Sequence, residues 1–130
     1  MACAKGEPVR SKICESFSAA VSDIADGASI MMYILVGPGG VPQNLISALR
    51  DQGTGNLTLI TSNFGQTGTT HSSRDFKPYV SARILVENRQ VKKAIVSFLA
   101  GFAAYRDQGI EIELCAMGTL YERIRAGGAG

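Results

Sequence analysis

The sequence predicts an α/β domain, an open and mainly parallel sheet flanked by helices. Three observations carry this expectation. Apolar runs of strand length alternate with amphipathic segments from residue 13 to the end of the chain. The run "IMMYILV" at Ile30–Val36 is apolar without alternation, as in a strand covered on both faces. Links rich in glycine or polar residues separate the runs, and strands alternating with helices imply parallel pairing.

The elements follow in order. Residues 1–12, "MACAKGEPVRSK", have no periodicity and are read as a loose arm before a single domain at 13–130. "ICESFSAAVSDI" places Ile13, Phe17, Ala20, Val21 and Ile24 on one face of a first helix. After the turn "DGAS" comes the strand at Ile30–Val36, and then the loop "GPGGV". Pro42 opens a helix that would bury Leu45, Ile46 and Leu49 and stop at Gly53. "NLTLITS" is the second strand, and the polar stretch Asn63–Lys77 is a long loop. A short helix within "YVSARILVENRQV", a third strand "KKAIVSFLA", a short helix at "FAAYRDQ", a fourth strand "IEIEL" and a last helix "GTLYERIRAG" complete the chain. The tetrapeptide RDQG occurs at Arg50–Gly53 and again at Arg106–Gly109, each time between a helix and a strand.

Composition limits function. The 130 residues carry 13 basic and 11 acidic side chains, a net charge of +2 and too little to indicate a nucleic-acid binder. Arg83, Arg89, Lys92 and Lys93 form a basic cluster that reads as a solvated helix end or as a contact for an anion. Cys3, Cys14 and Cys115 are odd in number and lack metal-ligand spacing. With no signal-peptide pattern and no apolar run near the ~20 residues of a membrane span, a reducing cytoplasmic setting is expected, with no membrane partner.

The candidate chemistry gathers at the strands' carboxyl ends, where ligands of open α/β sheets bind. "VGPGGVP" lacks the Gly-Lys-Ser/Thr ending of a nucleotide-triphosphate loop, and Pro42 occupies the third glycine's place in a dinucleotide fingerprint. A tight turn needing positive φ is the competing reading. His71, the single histidine, lies in the polar loop beside Ser72 and Ser73, where nothing local makes it a catalytic base. Glu111 and Glu113 share one face of a strand about 7 Å apart. Alternation with Ile110, Ile112 and Leu114 assigns them to a solvated face.

Taken in order, "DGASI…GGVPQNLISAL", "LTLITSNFG", "NRQVKKAIVSFLAG" and "IEIEL…GTLYERIRAGGAG" resemble the N-terminal part of the alpha subunit of family I CoA-transferases, the 3-oxoacid and acetate type. The resemblance covers residues 13–130. It implies a Rossmann-like CoA-transferase sheet, truncated because a complete alpha subunit continues past Gly130. It also implies transfer of coenzyme A between carboxylic acids through a glutamyl thioester. The family's nucleophilic glutamate belongs to the beta subunit, and no glutamate here inherits that role. Activity of the chain alone is therefore not expected.

The resemblance places ligand contacts at Gly37, Gly39, Gly40, Asn63 and Gly118, with coenzyme A or acyl-CoA as ligand and no covalently bound cofactor. Several family positions have changed. "YILVG" (Tyr33–Gly37) stands where the family has Gly-Gly-Phe-Gly, with one extra residue before Gly40-Val41-Pro42. Asn63 matches the first of two consecutive asparagines, and Phe64 replaces the second. Met117 replaces a glutamine that stabilises the oxyanion, and a thioether cannot donate that hydrogen bond. Three functions are therefore open: a subunit working with a beta partner, a non-catalytic domain binding acyl-CoA or another small anion, and a self-associating scaffold. A homo-oligomer is expected, with the apolar "IMMYILV" strand as material for the contact.

Overall fold

A computed structural model describes residues 13–32, 40–65, 80–99 and 105–130. They form a four-stranded, fully parallel sheet in sequential order, β1 (Ser29–Met31), β2 (Leu57–Thr61), β3 (Val91–Val96) and β4 (Glu111–Leu114). The helices that lie wholly within the described residues are α1 (Phe17–Val21), α2 (Gln43–Gln52), α3 (Arg83–Glu87) and α4 (Met117–Ala129), and Tyr105 and Arg106 are also helical. The α/β class read from the alternation is the architecture found.

Register divides the sheet into two faces. Leu57, Leu59, Ala94 and Val96 point to the face covered by α2 and α3, where they meet Ile46, Leu49, Leu85 and Val86 in a core of fully buried side chains. Thr58, Ile60, Lys93 and Ile95 point to the opposite face, where α4 lies. Burying a Leu, Ile or Val contributes about 1.5–3 kcal/mol each, so the first face dominates stability. β1 has three residues, and the continuation expected at Tyr33–Val36 lies outside the described residues.

Polar side chains fasten the connections. Gln90 Nε2 donates to the carbonyls of Leu49 (3.1 Å) and Thr54 (2.9 Å), tying the end of α2 to the start of β3. Asp26 accepts from the Gly55 backbone at 2.6 Å, holding the turn before β1 against the entry to β2. Both RDQG copies end in a left-handed glycine, Gly53 at φ 77 and Gly109 at φ 78, whose N–H donates three residues back to the arginine carbonyl. A shared helix-stop conformation is the physical content of the repeat.

Several expectations are corrected. The first helix begins at Phe17, because the Ser16 hydroxyl accepts from Ala19 N and caps it there. Ile13 and Phe17 are consequently exposed, and Val21 alone of that face is buried. Leu45 lies at the margin of the α2 stripe and stays 38% exposed. Leu114, at the outer end of edge strand β4, is 58% exposed where alternation placed it inside. The basic cluster is dispersed: Arg83 pairs with Glu87 on α3, while Lys93 is mid-strand on β3.

Candidate functional site

A parallel sheet delivers the start of every crossover to one end, and that end collects the candidate residues. Gly40 stands in the β1–α2 connection, Asn63 two residues beyond β2, and Gly118 in the first turn of α4 after β4. Gly37 and Gly39 lie outside the described residues, as do His71 and most of the Asn63–Lys77 loop. Gly40 has φ 83, a conformation that favours glycine, so the competing turn reading accounts for its residue type.

Asn63 is buried, and its side chain organises a turn. Its Oδ1 accepts from Gly65 N at 2.6 Å and its Nδ2 donates to the Ser62 hydroxyl at 3.2 Å. The Thr61 hydroxyl donates to the Asn63 carbonyl at 3.0 Å. Gly65 completes the turn at φ 77. The ends of β2 and β3 are joined by the Ser62 carbonyl, which accepts from Ser97 N and Phe98 N. The Ser97 hydroxyl is buried without a partner among the described residues. Ser62 and Ser97 are strand-end positions missed in reading the sequence. The signal available was a serine directly after an apolar run, in "LTLITS" and again in "KKAIVS".

Gly118 differs from the left-handed turn glycines and shares its setting with Gly127 and Gly128 of the same helix. It is helical, its surface is exposed, and a Cβ placed there meets no atom within 4 Å. Neither packing nor backbone angle requires a glycine there. Phe64 has the opposite character. It is 1% exposed, and its ring meets Tyr105 edge-on at 5.2 Å between centroids, so the position belongs to the core. Met117, the first residue of α4, is half exposed at the same end of the sheet.

The ionised groups lie elsewhere, on the α4 face. Lys93 Nζ is 2.7 Å from Glu111 and 3.7 Å from Glu113, which puts both carboxylates on one face as the spacing predicts. Arg123 of α4 reaches Glu113 at 2.6 Å. That bond, with Lys93 beyond it, holds the Glu113 carboxyl below its ordinary value. Glu111 raises Lys93, and Glu113 raises Arg123. The two glutamates thus form a paired row under a helix. Among the described residues no group of three or more His, Cys, Asp or Glu could hold a metal ion. No described helix is long and apolar enough to cross a membrane.

Residues 14–130 match the family model for coenzyme A transferase. The chain belongs to that family. It is 35% identical over 123 residues to one subunit of the probable succinyl-CoA:3-ketoacid coenzyme A transferase of Bacillus subtilis (strain 168), covering 92% of this chain and 47% of that protein. It is 38% identical over 115 residues to succinyl-CoA:3-ketoacid coenzyme A transferase 2A, mitochondrial, of Rattus norvegicus, covering 85% of this chain and 20% of that protein. Identity to the Homo sapiens enzyme 2, mitochondrial, is 37% over 114 residues, covering 85% of this chain and 20% of that protein. The chain spans about half the length of the Bacillus protein and a fifth of the rat protein.

Proposed function

We propose that this CoA-transferase-family chain binds coenzyme A or its thioesters beyond the carboxyl ends of the parallel strands, through Gly37, Gly39, Gly40, Asn63 and Gly118. Transfer of coenzyme A to a carboxylic acid then takes place only with a second chain that contributes the nucleophilic glutamate. The observation that carries the reading is positional. Gly40, Asn63 and Gly118, far apart in sequence, stand in the connections leaving three different strands at one end of the sheet.

The need for a partner is argued from this chain's carboxylates. In the family the glutamate must attack an acyl carbonyl. Glu111 and Glu113 instead face α4, engaged by Lys93 and Arg123. The Bacillus relative is itself named as one subunit of its transferase, which supports an arrangement with two kinds of chain.

A second reading has its own observation. Met117 offers no hydrogen-bond donor where the resemblance places the oxyanion-stabilising glutamine, and Phe64, in place of the family's second asparagine, is committed to the core. Losing one oxyanion donor costs about 2.7–4 kcal/mol of transition-state stabilisation. A domain that binds acyl-CoA without transferring it, or a self-associating scaffold, fits those changes. Coenzyme A transfer from succinyl-CoA, assayed with the chain alone and then in a mixture with a beta-type CoA-transferase partner, separates the readings. Activity only in the mixture supports the first. Saturable binding of labelled coenzyme A without activity in either supports the second.

A further inference from the structure

A buried polar atom without a partner costs free energy, and folds keep few of them. Among the described residues three side-chain atoms are in this position: Ser81 Oγ, Gln90 Oε1 and Ser97 Oγ. Gln90 Oε1 is an acceptor just before β3, at the end of the sheet away from the candidate site. Ser81 is 1% exposed, so the whole residue is enclosed. Ser97 alone of the three follows a strand directly, at the carboxyl end of β3. Its hydroxyl is shut away from water, while the residue as a whole is half-buried.

Neighbouring strands fix its position. Ser97 N donates to the Ser62 carbonyl at 3.1 Å, beside Asn63 at the end of β2. On the other side Cys115 N donates to the Val96 carbonyl at 2.9 Å, which brings the end of β4 alongside. Ser97 thus stands between the ends of β2 and β4, with Met117 two residues past Cys115. The backbone is held there and the hydroxyl is not.

Other polar side chains at these ends are engaged. The Thr61 hydroxyl donates to the Asn63 carbonyl, the Ser62 hydroxyl accepts from Asn63 Nδ2, and Asn63 Oδ1 accepts from Gly65 N. A serine hydroxyl moves between staggered rotamers, and turning this one outward breaks no hydrogen bond. What it would meet is set by the surroundings. The described residues directly after β2, β3 and β4 include no charged side chain. A neutral acceptor therefore suits the hydroxyl better than a phosphate or a carboxylate. Phe98 and Met117, both exposed, add apolar surface close by, which fits the acyl end of a thioester over its amide-rich arm.

We propose that Ser97 is a substrate-contact residue of the strand-end site, its hydroxyl turning to donate to the carbonyl oxygen of an acyl thioester. This rests on the coenzyme A reading for the ligand and names a donor for the acyl oxygen, a role Met117 cannot fill.

The test is calorimetric titration of the full chain and of Ser97→Ala with acetyl-CoA and with S-ethyl-CoA, the thioether in which a methylene replaces the carbonyl. Urea unfolding of both proteins is measured alongside. The wild type is expected to prefer acetyl-CoA by about two- to tenfold, the span of one neutral hydrogen bond. Ser97→Ala is expected to erase that preference by weakening acetyl-CoA alone. Its unfolding midpoint should stay or rise, because the hydroxyl has no partner in the free chain. Equal weakening of both ligands overturns the inference, as does a preference that the variant keeps. A lowered midpoint gives the hydroxyl a structural partner and also overturns it. No preference in the wild type, with both ligands bound, overturns it and leaves the coenzyme A site standing. Failure of the folded wild type to bind either ligand overturns both.

Discussion

Gly53 and Gly118 are both glycines at helix ends, with opposite physical requirements. Gly53 sits at φ 77, where an L side chain meets its own backbone, so Gly53→Ala is expected to cost about 1–2 kcal/mol in urea unfolding. Gly118 is helical with open space around it, so Gly118→Ala is expected to stabilise the chain by about 0.8–1 kcal/mol. If that variant is more stable and also binds coenzyme A more weakly, the glycine serves the ligand. Unchanged binding would return Gly118 to an incidental surface position. Phe64 provides the third residue-scale test. As a buried ring against Tyr105 it is expected to lose about 3–5 kcal/mol on replacement by alanine, measured by the same unfolding experiment. Little change would place the ring outside the core.

The attachment of α4 sets the behaviour at the scale of the element. Leu120 is its one buried side chain, and Arg123 links it to β4 through Glu113. Glu113 has a lowered value in the folded state, so its contribution is present above the unfolded glutamate value and is lost as pH falls through the lowered one. Lys93 has a raised value, so its contribution is present below the ordinary lysine value and is lost as pH rises through the raised one. Amide exchange in α4 is therefore expected to accelerate selectively below the ordinary glutamate range. Glu113→Gln should remove that acid dependence. An unchanged acid dependence in the variant would show that another group controls the helix.

The elements also show what could be read from the chain. Long, strongly patterned segments were legible: α2, β2 and α4 are where periodicity put them, and Gly53 ends its helix as its position predicts, while β3, read as 92–100, runs Val91–Val96. Details decided by local competition were not. A serine hydroxyl capping Ala19 shortens α1 against its apolar spacing, and an edge position exposes Leu114 against strand alternation. Of the candidate positions, Gly40, Asn63 and Gly118 were legible as strand-end positions, because topology alone brings those together, while Gly37 and Gly39 lie outside the described residues. That the Asn63 side chain bonds to Ser62 and Gly65 required coordinates. The Glu111–Glu113 pair was read correctly as sharing a face. Its pairing with α4 depends on where a helix ten residues later returns to the sheet.

For the whole molecule, one face of the sheet is well filled and the other is covered by a single helix. Large apolar side chains, among them Met31, Phe98, Leu114 and Met117, remain exposed. Such surface favours association with another chain, whether a second copy or a beta-type partner. Sedimentation equilibrium of the purified chain is expected to show self-association, reversed when a beta-type partner is added. A monomer at all concentrations, with or without that partner, would contradict the expected contact.

The central proposal is a coenzyme A site at the carboxyl ends of the parallel strands, with Met117 where the resemblance places the oxyanion glutamine. Calorimetric titration of the folded chain with coenzyme A and acetyl-CoA tests it most directly. Saturable binding of both, weakened by Asn63→Ala, is the predicted result; no heat from a chain shown to be folded would contradict it.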